Sequence, residues 1–205
     1  VFDVTLARLT ASAQSIAMPG AARAGLSEMG NADAAWKELM LRNVLADSIP
    51  VETLAAHVFA AAALQVHFAR LASRLVADTL VAVGDGVCPA CGGPPAATVI
   101  VGWSNARGTR FCSCSLCATL WNYSRVKCTV CGATNDVAYQ ELAGGPGTIK
   151  AETCGSCRSY VKILHQQTDP NLDPVADDVG SLALDLLVRE LGFNRGGLNP
   201  FLLGY

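Results

Sequence analysis

The sequence predicts an α+β protein: a mostly helical body that carries two tandem four-cysteine metal ribbons. Three observations predict it. Apolar residues keep helical spacing through residues 1–83, and that spacing returns over 166–205. Between these stretches the runs shorten, Gly and Pro become frequent, and alternation replaces the helical period. All nine cysteines lie between Cys88 and Cys157, and eight of them form Cys-x-x-Cys pairs. The expected organisation is a helical region over 1–83, a first ribbon over 84–126, a second over 127–165, and a C-terminal helix and tail over 166–205 that pack on the body.

In the helical region, Leu6, Leu9, Ala13 and Ile16 share one face, as do Trp36, Leu39, Met40 and Val44. From Val51 to about Val81 the pattern places Leu54, Val58, Ala61, Phe68, Leu71 and Leu75 on one face and a polar stripe of His67, Arg70 and Arg74 on another. Pro19-Gly20 and Ser48-Ile49-Pro50 are the breaks. The longest uncharged stretch, Thr53 to Ala69, has 17 residues. It falls short of the roughly 20 that a membrane span needs, so it reads as a buried core helix. Val1 already sits within a helical pattern with no charged-then-apolar leader, so an N-terminal piece is expected to be missing.

The pairs are Cys88/Cys91, Cys114/Cys117, Cys128/Cys131 and Cys154/Cys157, and a shift of 40 residues carries the first two onto the last two. Gly92 and Gly132 obey the same shift, and Trp121 and Tyr123 land on Val161 and Ile163. This is an internal duplication. Each unit reads as a Cys-x-x-Cys-Gly knuckle, a strand, a Gly-containing turn, a second knuckle and another strand. Val99, Val101 and Trp103 mark one strand, Trp121 and Tyr123 a second, and Val161 and Ile163 a third; Gly144-Gly145-Pro146-Gly147 reads as a hairpin turn. A knuckle sets two sulfurs on one side of a tight loop, and two facing knuckles supply a tetrahedral four-sulfur cage suited to zinc or a single iron. The repeat pairs Cys88, Cys91, Cys114 and Cys117 as one metal site and Cys128, Cys131, Cys154 and Cys157 as the other. An oxidised framework or a thioredoxin-type dithiol fits four evenly spaced pairs less well. With four thiolates per metal no coordination position is open for catalysis, which counts against a metalloenzyme. Cys112 has Glu152 as its repeat equivalent and reads as an ordinary small strand residue.

In the C-terminal region Asp173 is a natural N-cap with Pro174 at the first helical position. Val175, Val179, Leu182 and Leu186 follow at helical spacing, and Gly192 is the stop. Asp177 and Asp178 read as charges favoured by the helix dipole. The apolar tail Asn199-Pro200-Phe201-Leu202-Leu203 is expected to dock back.

Charge is partitioned. Residues 88–165 carry seven basic side chains against three acidic, whereas the remainder carries eight against fourteen. Arg110, Arg125, Lys127, Arg158 and Lys162 are candidates for a basic face, with a solvated ribbon surface as the alternative. A nucleic-acid-binding ribbon is therefore one rival reading, although a net charge of −2 argues against it. A single-iron electron-transfer protein is another. His57, His67 and His165 are isolated and lack a flanking catalytic group, and the Gly-rich turn lacks the Lys and Ser/Thr of a phosphate loop.

Five segments resemble a known family: Cys88-Pro-Ala-Cys-Gly-Gly-Pro-Pro, Arg110-Phe-Cys-Ser-Cys-Ser-Leu-Cys with Trp121, Arg125-Val-Lys-Cys-Thr-Val-Cys-Gly, Lys150-Ala-Glu-Thr-Cys-Gly-Ser-Cys-Arg-Ser-Tyr-Val-Lys, and Ala176-Asp-Asp-Val-Gly-Ser-Leu-Ala-Leu-Asp-Leu. Together they are similar to bacterial formate dehydrogenase accessory proteins, from about Ala62 to the C-terminus. The resemblance implies a cytoplasmic, non-enzymatic maturation factor. It would bind the catalytic subunit of a molybdenum- or tungsten-containing formate dehydrogenase before export or assembly; no membrane insertion is expected from the length of the uncharged stretch, and the net charge counts against a nucleic-acid partner. It also implies that the two ribbons are rubredoxin-like (zinc-ribbon-like) sites. Ala118 and Arg158, rather than Gly, follow the later knuckles, which leaves both iron and zinc open.

Overall fold

A computed structural model describes residues 2–202. The chain divides into two compact units, Val1–Arg74 and Leu75–Tyr205.

The first unit consists of α1 (Phe2–Ala13), α2 (Gly20–Asn31), α3 (Ala34–Leu45) and α4 (Leu54–Ala72). Helices α1, α2 and α3 all pack on α4. The Asp33 carboxylate starts α3 by accepting from the Trp36 N–H at 2.8 Å. The buried stripe of α4 is Ala56, His57, Ala60, Ala61, Ala63 and Leu64. It faces Leu6, Leu26, Met29, Met40 and Val44 from the surrounding helices. The expected core face is therefore displaced: Leu54, Leu71 and Leu75 are exposed. The reason is steric. Alanines let three helices approach closely, and the bulkier residues are left at the rim. At Gly25 of α2 a Cβ would lie 2.5 Å from the Ala55 carbonyl carbon of α4. Helix α2 has few large apolar residues, which is why periodicity passed over it. His57 is a satisfied core histidine: Nδ1 donates to the Thr53 carbonyl at 2.8 Å and Nε2 accepts from the Asn43 amide at 3.2 Å. Val51–Ala72 is long and apolar enough to cross a membrane by length and composition. In this structure it is the helix on which the other three pack. The expected continuation to Val81 is instead a short 3-10 turn at Ala77–Thr79.

The second unit is built on a sheet of β1 (Pro95–Ile100), β2 (Arg110–Cys114), β3 (Leu120–Asn122), β4 (Val137–Gln140), β5 (Ile149–Cys154) and β6 (Ser159–Leu164). The order is β3-β2-β1-β6-β5-β4, with a short β7 (Asn194–Arg195) beside β6. The duplication is visible here. Strands β1–β2–β3 and β4–β5–β6 are the same antiparallel meander, and β1 joins β6 in parallel through Thr98↔Ile163 and Val99↔Leu164. The two repeats thus follow each other by translation along one sheet. The Gly-rich turn does connect an antiparallel pair, β4 and β5. Val101 and Trp103 lie beyond β1, and Tyr123 beyond β3, although Val101 still exchanges backbone bonds with Gly108 and Thr109 and the Tyr123 N–H donates to the Arg110 carbonyl.

One face of the sheet is apolar. Ala97, Val99, Val101 and Leu164 pack with Leu172, and Ala151 and Tyr160 pack with Leu184 and Val188 of α6 (Leu182–Glu190). A short α5 (Ala176–Gly180) precedes it. The helix starts at Ala176, two residues later than expected, so Val175 rather than Asp173 precedes it; Asp173 still accepts from the Val175 and Ala176 N–H groups at 2.8 Å each. The chain breaks at Ser181, which shifts the register. Leu184, Asp185 and Val188 turn inward, whereas Val179 and Leu186 of the expected stripe are exposed. Gly192, at φ +80°, follows the end of α6. In the tail Asn199 and Leu202 are buried; Leu203 lies outside the described residues.

Two four-cysteine centres and a buried ionic cluster

Each knuckle is closed by backbone bonds. At the first, Cys88 N–H donates to the Gly93 carbonyl and Gly92 N–H returns to the Cys88 carbonyl, both at 2.9 Å. The equivalent bonds at Cys128 run to Ala133 at 2.8 Å and back from Gly132 at 3.0 Å. Such a reversal needs a left-handed residue after the second cysteine. Gly92 and Gly132 supply it at φ +79° and +74°. Ala118 and Arg158 occupy the same conformation at φ +56° each, so the departure from Gly seen in the sequence leaves the backbone unchanged. Arg158 offsets its strain through its side chain. Its guanidinium stacks 4.3 Å from the Phe193 ring centre and donates to the Leu191 carbonyl at the end of α6.

The structure brings the eight paired cysteines together as two groups, 88/91/114/117 and 128/131/154/157, with all sulfurs of a group within 4.8 Å of one another. In the first group Cys88–Cys117 and Cys91–Cys114 are 3.6 and 3.4 Å apart. In the second, Cys128–Cys157 and Cys131–Cys154 are 3.8 and 3.7 Å apart. Four bonds of about 2.3 Å to a tetrahedral metal set each sulfur–sulfur edge at about 3.8 Å. The donor sets therefore fit a thiophilic ion in both places. Backbone N–H groups of Leu116 and Cys117 point at the Cys114 sulfur, and that of Val130 at Cys128. They stabilise thiolate charge. Bonds from the Cys114 and Cys88 thiols pull the Cys117 thiol far below its ordinary range. Cys154 would be raised by burial, but the Cys157 N–H and the neighbouring thiols bring it down to about 7.

Cys112 joins neither group. It is fully buried on β2, and burial pushes its thiol up to about 12. Beside it runs a buried ion pair, Arg110–Glu152, at 2.8 Å. Arg110 also donates to the carbonyls of Ser124 and Lys127, and Tyr123 O–H donates to the Cys128 carbonyl at 3.0 Å. These bonds tie the linker between the repeats to the sheet.

Two of the five residues of the candidate basic face are withdrawn from it, and Arg125 stays exposed, donating to the Gly108 carbonyl at 3.3 Å. Arg110 and Lys162 are fully buried, Lys127 pairs with Asp85 at 2.7 Å, and Arg158 lies on Phe193. Lys162 sits between Asp178 and Asp185, and Arg195 bridges the same two carboxylates from β7. Tyr160 O–H donates to Asp185 at 2.7 Å, and the Asn199 amide to Asp178 at 2.8 Å. Asp178 lies in the first turn of α5 as expected, but its carboxylate is also the hub of a buried ionic cluster. Asp177, in the same turn, accepts from the Asp173 N–H. Sequence reasoning missed this cluster. Its one signal was Lys162 itself, whose alternation places it on the same side of β6 as Tyr160 and Leu164.

Fold and sites together define a tandem four-cysteine knuckle protein joined to a helical unit. Three family models match in succession: "FdhE, N-terminal" over residues 1–85, "FdhE, central domain" over 87–125 and "FdhE, C-terminal domain" over 126–202. The crystal structure of the FdhE protein from Pseudomonas aeruginosa superposes with a TM-score of 0.84 at 32% identity, covering 99% of this chain and 70% of that one. A "Protein FdhE homolog" from Rhizobium meliloti (strain 1021) is 48% identical over 195 residues, which is 94% of this chain and 64% of that protein. Another, from Actinobacillus pleuropneumoniae serotype 3 (strain JL03), is 42% identical over 146 residues, or 71% of this chain and 48% of the relative. The chain belongs to the FdhE family, and it spans less than two thirds of these two curated relatives.

Proposed function

We propose that this chain is the metal-ribbon-bearing part of a maturation factor for formate dehydrogenase. In this reading it acts in the cytoplasm as an assembly chaperone that binds the enzyme's catalytic subunit. The observation that carries the reading is family membership along the chain, through all three FdhE models. Two features of the sites support a binding protein over an enzyme. Each cage supplies four sulfurs, so a bound iron or zinc would have no open position for substrate. Among the described residues no histidine joins either cage. Cys88, Cys91, Cys114 and Cys117 would hold one ion, and Cys128, Cys131, Cys154 and Cys157 the other. Each ion would cross-link two knuckles and contribute about 10–16 kcal/mol of folding free energy. The nucleic-acid reading loses two of its five candidate contacts, since Arg110 and Lys162 cannot reach a phosphate from the core.

The test is affinity capture of tagged protein from anaerobic, formate-induced native cytosol, with mass spectrometry of what is retained. The reading predicts selective recovery of a formate dehydrogenase catalytic subunit, lost on chelation of the metal. Recovery of no such subunit by the full-length protein would contradict it.

A further inference from the structure

The duplication gives the two cages nearly the same backbone but not the same surroundings. In the first, Cys88, Cys114 and Cys117 are buried and Cys91 is half-buried. In the second, Cys131 is exposed, Cys157 is half-buried, and only Cys128 and Cys154 are buried. Translation of the repeat along one sheet creates part of this difference. The first knuckle of repeat one leads into β1, which is paired on both sides by β2 and β6. The first knuckle of repeat two leads into β4, an edge strand paired with β5 alone.

The C-terminal segment adds to it. Leu198 N–H donates to the Pro95 carbonyl at 3.0 Å, and Arg195 donates to that of Ala96. Gly197 approaches so closely that a Cβ would lie 2.8 Å from the Ala96 oxygen. This segment is itself pinned by the cluster of Lys162, Asp178, Asp185 and Arg195. It therefore clamps the chain that leaves the first cage. It also touches the second, where Gly196 packs on Val130, yet it leaves Cys131 open to solvent.

We infer that the two cages have unequal roles: the first is a permanent structural cross-link, and the second is an exchange site open to soft sulfur ligands from outside. The inference rests on the reading that each cage holds one metal ion. The step it assigns to the second cage is ligand substitution. An incoming thiol binds as thiolate at the position that Cys131 Sγ gives up, and its proton ends on the freed Cys131. No electrons change hands, and the four-sulfur count is conserved. Partner chemistry is thereby specified: a protein or small molecule presenting thiolates, not a carboxylate or phosphate.

Solvent access and the packing around a site set how readily its metal leaves, with outer-shell contacts carrying about 10–100-fold in affinity. Zinc-loaded protein mixed with a chromogenic chelator should release its metal in two equal phases separated by at least about tenfold in rate. Glutathione should accelerate the fast phase alone. C128S/C131S should remove that phase, and C88S/C91S the slow one. Alkylation of the wild-type chain during release, followed by peptide mass spectrometry, keeps the test independent of variants that fail to fold. Cys131 and Cys157 should be labelled before Cys88 and Cys117. A starting ratio of two zinc ions per chain with a single phase, or with Cys88 and Cys117 labelled first, would overturn the inference while leaving the two-metal reading intact. A starting ratio below two would remove both.

Discussion

At the scale of single residues, two left-handed positions separate what backbone geometry demands from what a side chain contributes. Ala118 and Arg158 occupy equivalent conformations, each at φ +56°. A non-Gly residue there costs about 1–2 kcal/mol. Ala118→Gly should therefore stabilise the protein, by about 1 kcal/mol in denaturant titration. Arg158→Gly should bring no such gain, because it also removes the stack on Phe193 and the bond to Leu191. Equal gains at both positions would show that the Arg158 contacts contribute nothing. The second residue-scale prediction concerns Lys162. Removing one partner of a buried ion pair leaves uncompensated charge, at a cost of about 3–5 kcal/mol. Lys162→Met should lower stability by that order, and adding Asp185→Leu should recover part of it. A loss within the range of an exposed ion pair, below about 1 kcal/mol, would mean that water screens the cluster.

At the scale of elements, legibility followed the strength of the constraint. The 40-residue repeat was readable because ligand geometry tolerates little drift. Strands β2 (Arg110–Cys114) and β5 (Ile149–Cys154) both end on the cysteine that begins the later knuckle. Helix α1 and helix α3 were readable from apolar spacing, although Ile16 lies beyond α1 and, like Leu39, is exposed, whereas α2 was not, having little but Leu26 and Met29 to bury. The core face of α4 was misplaced for a related reason. Where apolar residues surround a helix, periodicity does not choose a face, and close packing chose the alanines. Polar side chains were the hardest to read. Nothing local to Arg110, Lys162 or Asp178 announces a partner on another element, 42 residues away for Arg110–Glu152 and 16 for Lys162–Asp178. The prediction at this scale is at the α2–α4 crossing. Gly25→Val forces a branched side chain against the Ala55 backbone, and overpacking of this kind costs about 1–3 kcal/mol. Stability of the helical unit, followed by far-ultraviolet circular dichroism, should fall by that amount. An unchanged midpoint would mean that the helices are free to move apart.

At the scale of the whole molecule, the central claim is that eight cysteines form two metal cages and the ninth belongs to neither. Metal analysis of anaerobically purified protein by inductively coupled plasma mass spectrometry tests it most directly. Two ions of iron or zinc per chain are expected. The ratio should fall to one on Cys114→Ser or Cys154→Ser and stay at two on Cys112→Val. Two ions retained in either cage variant, or an ion lost on replacing Cys112, would contradict the account.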